Sequence, residues 1–91
     1  MKTNIQSTVE QRGSKYGSIE DNSVMTQALM DVVTSHTFKG KLSDVHKECL
    51  HMIFHKISRM CIGDPYYADN AHDIAGYATL LEQYIESRED E

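Results

Sequence analysis

Four charged side chains in the second half of the chain have the spacing of a shared binding site. Lys56 lies seven residues after Cys49, so its stem falls on the apolar stripe of a predicted helix. A buried ammonium needs a carboxylate or phosphate partner. Arg59 extends this positive patch by one turn, while Asp69 and Asp73 stand at i and i+4 on the next predicted helix. The spacing predicts either an internal ion-pair network that fixes the helix register or a polar pocket for an anionic ligand or a metal.

An aromatic residue near the start of the chain is the second candidate. Tyr16 lies between Gly13 and Gly17 and follows Arg12 and Lys15. A tyrosine ring can stack on a base while its hydroxyl binds phosphate or ribose, and it can equally close the edge of a core. We therefore add Arg12, Lys15 and Tyr16 to the candidate ligand-binding residues.

Motifs for covalent or metal catalysis are not recognisable in the sequence. It has no phosphate-binding glycine loop, nucleophile elbow or CxxC pair. His51 and His55 have the i, i+4 spacing of transition-metal ligands, but the sequence specifies no third ligand. We assign no catalytic residue, interpret the two histidines as an exposed or hydrogen-bonded pair, and leave metal binding open.

The composition of the chain argues against a nucleic-acid-binding, secreted or membrane protein. The chain of 91 residues has a formal net charge of -5, which argues against binding to a nucleic-acid backbone. Cys49 and Cys61 are about 18 Å apart on one predicted helix, so they cannot pair, and each is expected to be a small buried hydrophobe. With no signal peptide or long apolar run in the sequence, we expect a cytoplasmic protein without membrane contact. Because so short a chain buries little surface, we also expect a homo-oligomer.

Apolar periodicity predicts one all-α domain over residues 1–91, with residues 1–5 and 87–91 frayed. The expected fold is a compact bundle of three long helices plus a short N-terminal helix. The helices are predicted at Thr3 to Arg12, from Ser18 to about Ser35, from the N-cap Ser43 to Ile62 before Gly63, and from an N-cap at Asp69 or Asn70 to about Ile85.

Gly76 interrupts the last of these helices, where a glycine costs about 1 kcal/mol relative to alanine. Small residues nearby, Ala75 and Ala78 among them, make one face of the helix thin. We expect another backbone to approach this face, or a ligand to occupy it.

The chain resembles a widespread family of short phage and prophage proteins of unknown function. The resemblance spans Val9 to Tyr84. It rests on the ordered motifs Arg12-x-x-x-Tyr16-Gly17, His55-Lys56-x-x-Arg59, Gly63-Asp64-Pro65 and Asp69-x-x-x-Asp73-Ile74-Ala75-Gly76-Tyr77-Ala78. It implies a phage origin, hence the host cytoplasm, and adds Tyr77 to the candidate ligand-binding residues.

A looser similarity links the chain to phage nucleotide-modification-associated domains and, beyond them, to MazG-like all-α NTP pyrophosphohydrolases. Those enzymes hold magnesium with paired acidic motifs on two helices. Here Glu48 stands alone on one predicted helix, and only Asp69 and Asp73 are available on the next. Two or three carboxylates can hold one Mg²⁺ weakly, but a two-metal clamp needs more ligands.

Three functions follow from these patterns. The first is a noncatalytic phage accessory protein that binds a nucleotide or a nucleotide-derived signal, in nucleotide metabolism or against a host defence. The second is a divergent Mg²⁺-dependent NTP pyrophosphohydrolase. The third is an acidic module that binds and inhibits a host enzyme.

Overall fold

The part of the chain that the structure describes folds into three consecutive helices. A computed structural model describes residues 15–36 and 40–89, and the helices are α1 (Ile19–His36), α2 (Asp44–Ile62) and α3 (Ala68–Glu89). These described residues contain no β-strand, so the all-α prediction is confirmed. The predicted N-terminal helix from Thr3 to Arg12 lies outside them. None of the described helices has the length and apolarity that crossing a membrane requires.

Local sequence signals set the ends of α2. The Ser43 hydroxyl accepts a hydrogen bond from the His46 backbone N–H at 3.2 Å, and the Ser43 N–H donates to His46 Nδ1 at 3.3 Å. Together these two bonds form a capping box. At the other end the Gly63 N–H donates to the Arg59 carbonyl at 2.9 Å. The predicted bounds of this helix are therefore confirmed.

The bounds of α3 differ from the prediction at both ends. The helix begins at Ala68, so Asp69 lies in its first turn and the predicted N-cap at Asp69 or Asn70 is wrong. The backbone explains this start, since the Asn70 N–H already donates to the Tyr67 carbonyl at 3.2 Å. The helix also continues past Ile85 to Glu89, into the segment expected to fray.

Helix α2 lies between α1 and α3, and its two buried polar residues face opposite neighbours. Lys56 faces α3 and Ser58 faces α1, as expected for residues two positions apart in a helix. Helices α1 and α3 each pack along α2 but make little contact with each other.

The α1–α2 interface is held by buried polar side chains. Thr26 and Ser58 are completely inaccessible to solvent. The Ser58 hydroxyl donates to Asn22 Oδ1 at 2.6 Å and receives a long hydrogen bond of 3.4 Å from the Thr26 hydroxyl. These bonds fix the register of the two helices, because sliding one helix would leave buried polar groups unpaired.

Apolar burial is sparse for a folded domain. Among the described residues, Cys49 is the only hydrophobic residue that is buried, and its exposure is 8%. Cys61 is exposed, so the prediction that both cysteines are buried is wrong for this one. Both thiols are free, as expected from their separation. Several large apolar side chains on the outer helices, Val24, Val32 and Leu80 among them, are more than half exposed.

Candidate functional site

Residues Lys15 and Tyr16 lie against the C-terminal end of α2. Their backbone is helical, although the sequence analysis predicted no helix between Arg12 and Ser18, and Gly17 then reverses the chain with a φ of 83°. The Lys15 carbonyl accepts a hydrogen bond of 2.7 Å from the Asp64 N–H, and the Tyr16 carbonyl accepts one of 2.6 Å from the Asn22 side chain. The segment is therefore anchored to α1 and to the turn after α2.

Two tyrosines and two cations meet where this segment touches the start of α3. The Arg59 guanidinium lies 4.4 Å from the centroid of the Tyr16 ring, and the Lys15 ammonium lies 4.8 Å from that of Tyr67. The two rings are 5.7 Å apart and tilted by 59°. Cation–π attraction and the edge-tilted ring contact both favour this arrangement. We call Lys15, Tyr16, Arg59, Tyr67 and Asp69 the tyrosine cluster.

Asp69 belongs to this cluster through Tyr67. A hydrogen bond with the Asp69 carboxylate, and after it one with the Tyr16 side chain, raises the pKa of Tyr67 to about 12. The bond to the carboxylate favours the protonated phenol, which donates to it. Tyr67 therefore keeps its proton well above neutral pH.

Lys56 and Asp73 form an ion pair of their own between α2 and α3. Lys56 Nζ lies 3.1 Å from Asp73 Oδ2, with the lysine side chain 10% exposed and the aspartate side chain 42% exposed. The predicted contact between the two helices is thus present for this pair. Asp73 can also be hydrated by solvent, whereas the nearly buried Lys56 ammonium relies on Asp73 for its charge to be compensated.

The structure divides the predicted site residues into two groups. Lys15, Tyr16, Arg59 and Asp69 come together in the tyrosine cluster, whereas Lys56 and Asp73 pair at the α2–α3 interface. Tyr77 is half-buried and lines a shallow groove on α3 with Asp73 and Gly76. Arg12 lies outside the described residues.

The expectation of a close approach at Gly76 is wrong within the described chain. A Cβ built on Gly76 would have no atom within 4 Å, and the residue is exposed. The close approach occurs at Gly63, where a Cβ would lie 2.6 Å from the Tyr16 Cα. The sequence shows both glycines but does not indicate which one another backbone approaches. That is decided by the packing of residues 15 and 16 against Gly63.

Two tyrosines of the turn between α2 and α3 were not among the predicted site residues. Tyr67 is central to the cluster, and its neighbour Tyr66 is 93% exposed. The turn is held by Asp64, whose Oδ1 accepts the Tyr66 N–H at 2.9 Å. A pair of aromatic residues directly after Asp64-Pro65 was the available signal, since turn residues are surface residues and an exposed aromatic there is unusual.

The histidine pair lies on α2 as predicted, with the His51 and His55 rings 4.7 Å apart. Burial lowers the pKa of His55, and the neighbouring His51, Arg59 and Lys56 lower it further. His51 Nε2 is buried and has no hydrogen-bond partner in the described part of the chain, so the interpretation of an exposed or hydrogen-bonded pair is wrong for this atom. Residues 15–36 and 40–89 bring together no group of three or more His, Cys, Asp or Glu side chains suited to a metal ion.

A family model described as Domain of unknown function (DUF6378) matches residues 1–85. The chain belongs to this family. No curated protein and no solved structure matches it. The tyrosine cluster and the Lys56–Asp73 pair both lie inside the DUF6378 match. The expectation of a family without known function is confirmed, while the phage origin and the MazG-like similarity stay predictions.

The unequal burial of the ion pair in this DUF6378 domain predicts unequal mutational effects. Asp73→Ala leaves the Lys56 ammonium almost buried without a carboxylate, and we expect it to lower the free energy of unfolding by about 1–2 kcal/mol. Lys56→Met leaves Asp73 free to bind water and keeps an apolar stem of similar length, so we expect a change below about 1 kcal/mol. Urea unfolding followed by circular dichroism measures both. Equal losses for the two variants would contradict this reading of the pair.

Proposed function

We propose that this DUF6378 domain binds a nucleotide or a nucleotide-derived anion at the tyrosine cluster, without catalysing a reaction on it. The observation that carries the proposal is the state of the two cations of the cluster. Lys15 and Arg59 lie on tyrosine rings, and neither forms an ion pair with any described carboxylate. Lys56, in contrast, already has Asp73, so it is assigned a structural role.

The geometry of Arg59 suits phosphate. A guanidinium stacked on an aromatic ring keeps its N–H edges in its own plane, pointing away from the ring. Those edges can donate two parallel hydrogen bonds to phosphate oxygens. Stacking on Tyr16 also holds the side chain in place before the ligand arrives, which reduces the entropy lost on binding. Lys15 is exposed and supplies a second positive charge from a different segment.

The turn before α3 provides the surface for a base. Tyr16 already stacks on Arg59, so the free aromatic surface belongs to Tyr66, which is 93% exposed next to the cluster. Base stacking on such a ring is worth about 1–3 kcal/mol. We therefore assign the base to Tyr66 instead of to Tyr16, and retain Tyr16 as the residue that positions Arg59.

The net charge of the chain and its resemblance to phage proteins indicate what kind of ligand and role to expect. The formal net charge of -5 disfavours long polyanions and is compatible with one small anion at a local pair of cations. Resemblance to phage proteins suggests a role in nucleotide metabolism or against a host defence that uses nucleotide signals. Mg²⁺-dependent hydrolysis with Asp69 or Asp73 as a ligand is an alternative that the experiment below distinguishes. Inhibition of a host enzyme is a further alternative, and it requires no nucleotide binding.

Titration calorimetry against mono-, di-, tri- and cyclic nucleotides tests the proposal. The native chain should bind at least one member, and Arg59→Met should weaken that binding by about tenfold or more, because a charge-assisted hydrogen bond contributes about 1.5–3 kcal/mol. Lys15→Met should weaken it less, since its ammonium is exposed. Tyr66→Ala should reduce affinity for nucleotides but leave any affinity for inorganic pyrophosphate unchanged.

Lys47→Met is the matched control for these substitutions. Lys47 is an exposed lysine near the N-terminal end of α2, twelve residues from Arg59, so about 18 Å along the helix. Its loss changes the net charge as much as loss of Lys15 does and should leave affinity unchanged. Equal weakening by Lys47→Met would indicate a general charge effect, and silence of the folded native chain across the panel would remove the proposal. Release of pyrophosphate in the presence of Mg²⁺ would show that the domain is an enzyme.

A further inference from the structure

A second cluster of basic and aromatic side chains lies at the N-terminal end of α2, away from the tyrosine cluster. It lines a groove of about 660 Å³ between the turn before α2 and the C-terminal part of α3. The lining residues that matter here are Lys41, Ser43, His46, Tyr84, Ile85 and Arg88. His46 and Arg59 are thirteen residues apart on α2, so the groove lies about 20 Å from the tyrosine cluster.

The charge of this groove is opposite to that of the whole chain. Lys41 and Arg88 both line it, whereas none of its lining residues is an aspartate or a glutamate. Neither cation forms an ion pair with a carboxylate of the described residues. The chain as a whole has a formal net charge of -5, so the positive charge of the groove is a local feature. An anion bound there would meet two cations and the positive end of the α2 dipole.

His46 adds a hydrogen-bond donor whose direction is set by the helix cap. Its Nδ1 accepts the Ser43 backbone N–H at 3.3 Å and lies 2.8 Å from the Ser43 hydroxyl, which itself accepts the His46 backbone N–H. A ring nitrogen that accepts a hydrogen bond carries no proton, so the proton of this ring is on Nε2. The capping box therefore makes His46 a donor through Nε2, the ring nitrogen farther from Ser43.

Tyr84 connects the basic groups to an apolar wall. The His46 ring meets the Tyr84 ring edge to face, with the centroids 6.0 Å apart and the planes at 86°. The Arg88 guanidinium carbon lies 5.8 Å from the centroid of the same ring. The edge-to-face contact and the cation–π attraction both favour this arrangement. Tyr84 and its neighbour Ile85 thus present apolar surface beside three hydrogen-bond donors.

We infer that this groove binds the phosphate group of a small organic phosphate, independently of the tyrosine cluster. A phosphate monoester carries nearly two negative charges and three acceptor oxygens. Those oxygens match an ammonium, a guanidinium and an imidazole N–H, which are the donors that the groove supplies. The groove also has room beside the phosphate for an organic substituent, which would contact Tyr84 and Ile85.

Nitrogen-15 NMR titration with phenyl phosphate and with inorganic phosphate tests the site. Phenyl phosphate should shift the amide resonances of Lys41 and His46 and reach saturation, with a dissociation constant on the order of 1 mM because the two cations are exposed. Inorganic phosphate should bind more weakly, since it lacks the contact with Tyr84. Lys41→Met and Arg88→Met should each weaken the binding of phenyl phosphate by about threefold or more.

His46→Asn tests the donor assigned to the histidine. The asparagine side chain keeps an acceptor near the position of Nδ1 for the helix cap but has no atom at the position of Nε2. We expect weaker binding of phenyl phosphate by a chain whose NMR spectrum and circular dichroism stay those of the folded protein.

Two substitutions outside the groove are the controls. Lys47 is exposed next to His46 but does not line the groove, so Lys47→Met removes the same charge as Lys41→Met and should leave binding unchanged. Arg59→Met alters the tyrosine cluster and should also leave it unchanged, which separates this site from the proposed nucleotide site. Unsaturable shifts at Lys41 and His46, equal affinity for the two phosphates, native binding by folded His46→Asn, or weakening by either control would each overturn the inference.

Discussion

Replacing Gly63 with alanine is expected to lower the free energy of unfolding by about 3 kcal/mol or more. The added Cβ would fall against the Lys15 carbonyl oxygen and 2.6 Å from the Tyr16 Cα. These are backbone atoms, so no side chain can rotate away to relieve the overlap. The segment would have to leave the end of α2, which would break the 2.7 Å hydrogen bond from the Asp64 N–H to the Lys15 carbonyl. Thermal unfolding should shift downward by roughly 15 °C.

The same substitution should also disrupt the tyrosine cluster. Tyr16 reaches Arg59 because its backbone touches Gly63, so displacing the segment separates the ring from the guanidinium. Tyrosine fluorescence should therefore respond to Gly63→Ala in addition to the change in stability. Gly76→Ala is the control, because its Cβ meets nothing within 4 Å and alanine is the better helix former by about 1 kcal/mol. A stable Gly63→Ala protein with native fluorescence would refute the close approach.

Ser58→Leu is the second substitution with a large expected effect, a loss of about 3 kcal/mol in the free energy of unfolding. Ser58 and Thr26 are both completely buried where α1 meets α2. Leucine would add three carbon atoms to this tight interface and remove the hydroxyl that donates to Asn22 Oδ1 at 2.6 Å. Ser58→Ala removes only the hydroxyl and should cost about 1–2 kcal/mol, because the amide oxygen loses its donor.

Ser87 on α3 provides a matched control for Ser58. Its hydroxyl donates to the Tyr84 carbonyl three residues earlier at 2.8 Å, as the Ser58 hydroxyl does to the His55 carbonyl at 3.1 Å. Ser87 is exposed, so Ser87→Leu and Ser87→Ala should each change stability by less than about 0.5 kcal/mol. Urea unfolding of the four variants gives the comparison. Equal effects at the two positions would show that the local helical bond, and not the contact with α1, explains the role of Ser58.

Local interactions let the sequence predict a large part of the fold. Ser43 and Gly63 bound α2 because capping involves only residues within one turn of the helix end. The contact of Lys56 with α3 also followed from the sequence, since helical periodicity put its stem on the apolar side and a short turn forces the next helix to return antiparallel. These features needed no knowledge of distant contacts.

Tertiary packing alone decided which residues form the candidate site. Arg59 pairs with Tyr16 and not with either aspartate because the segment before α1 docks across the end of α2. That docking depends on contacts between residues more than forty positions apart, which periodicity and motif spacing do not encode. The same contacts make Gly63 a site of close approach and leave Gly76 open, although both are glycines near or within helices. The sequence by itself determined the helices and the types of side chain available. The packing of the helices against one another determined which of those side chains meet. Contact between residues that are distant in sequence depends on the folded chain as a whole.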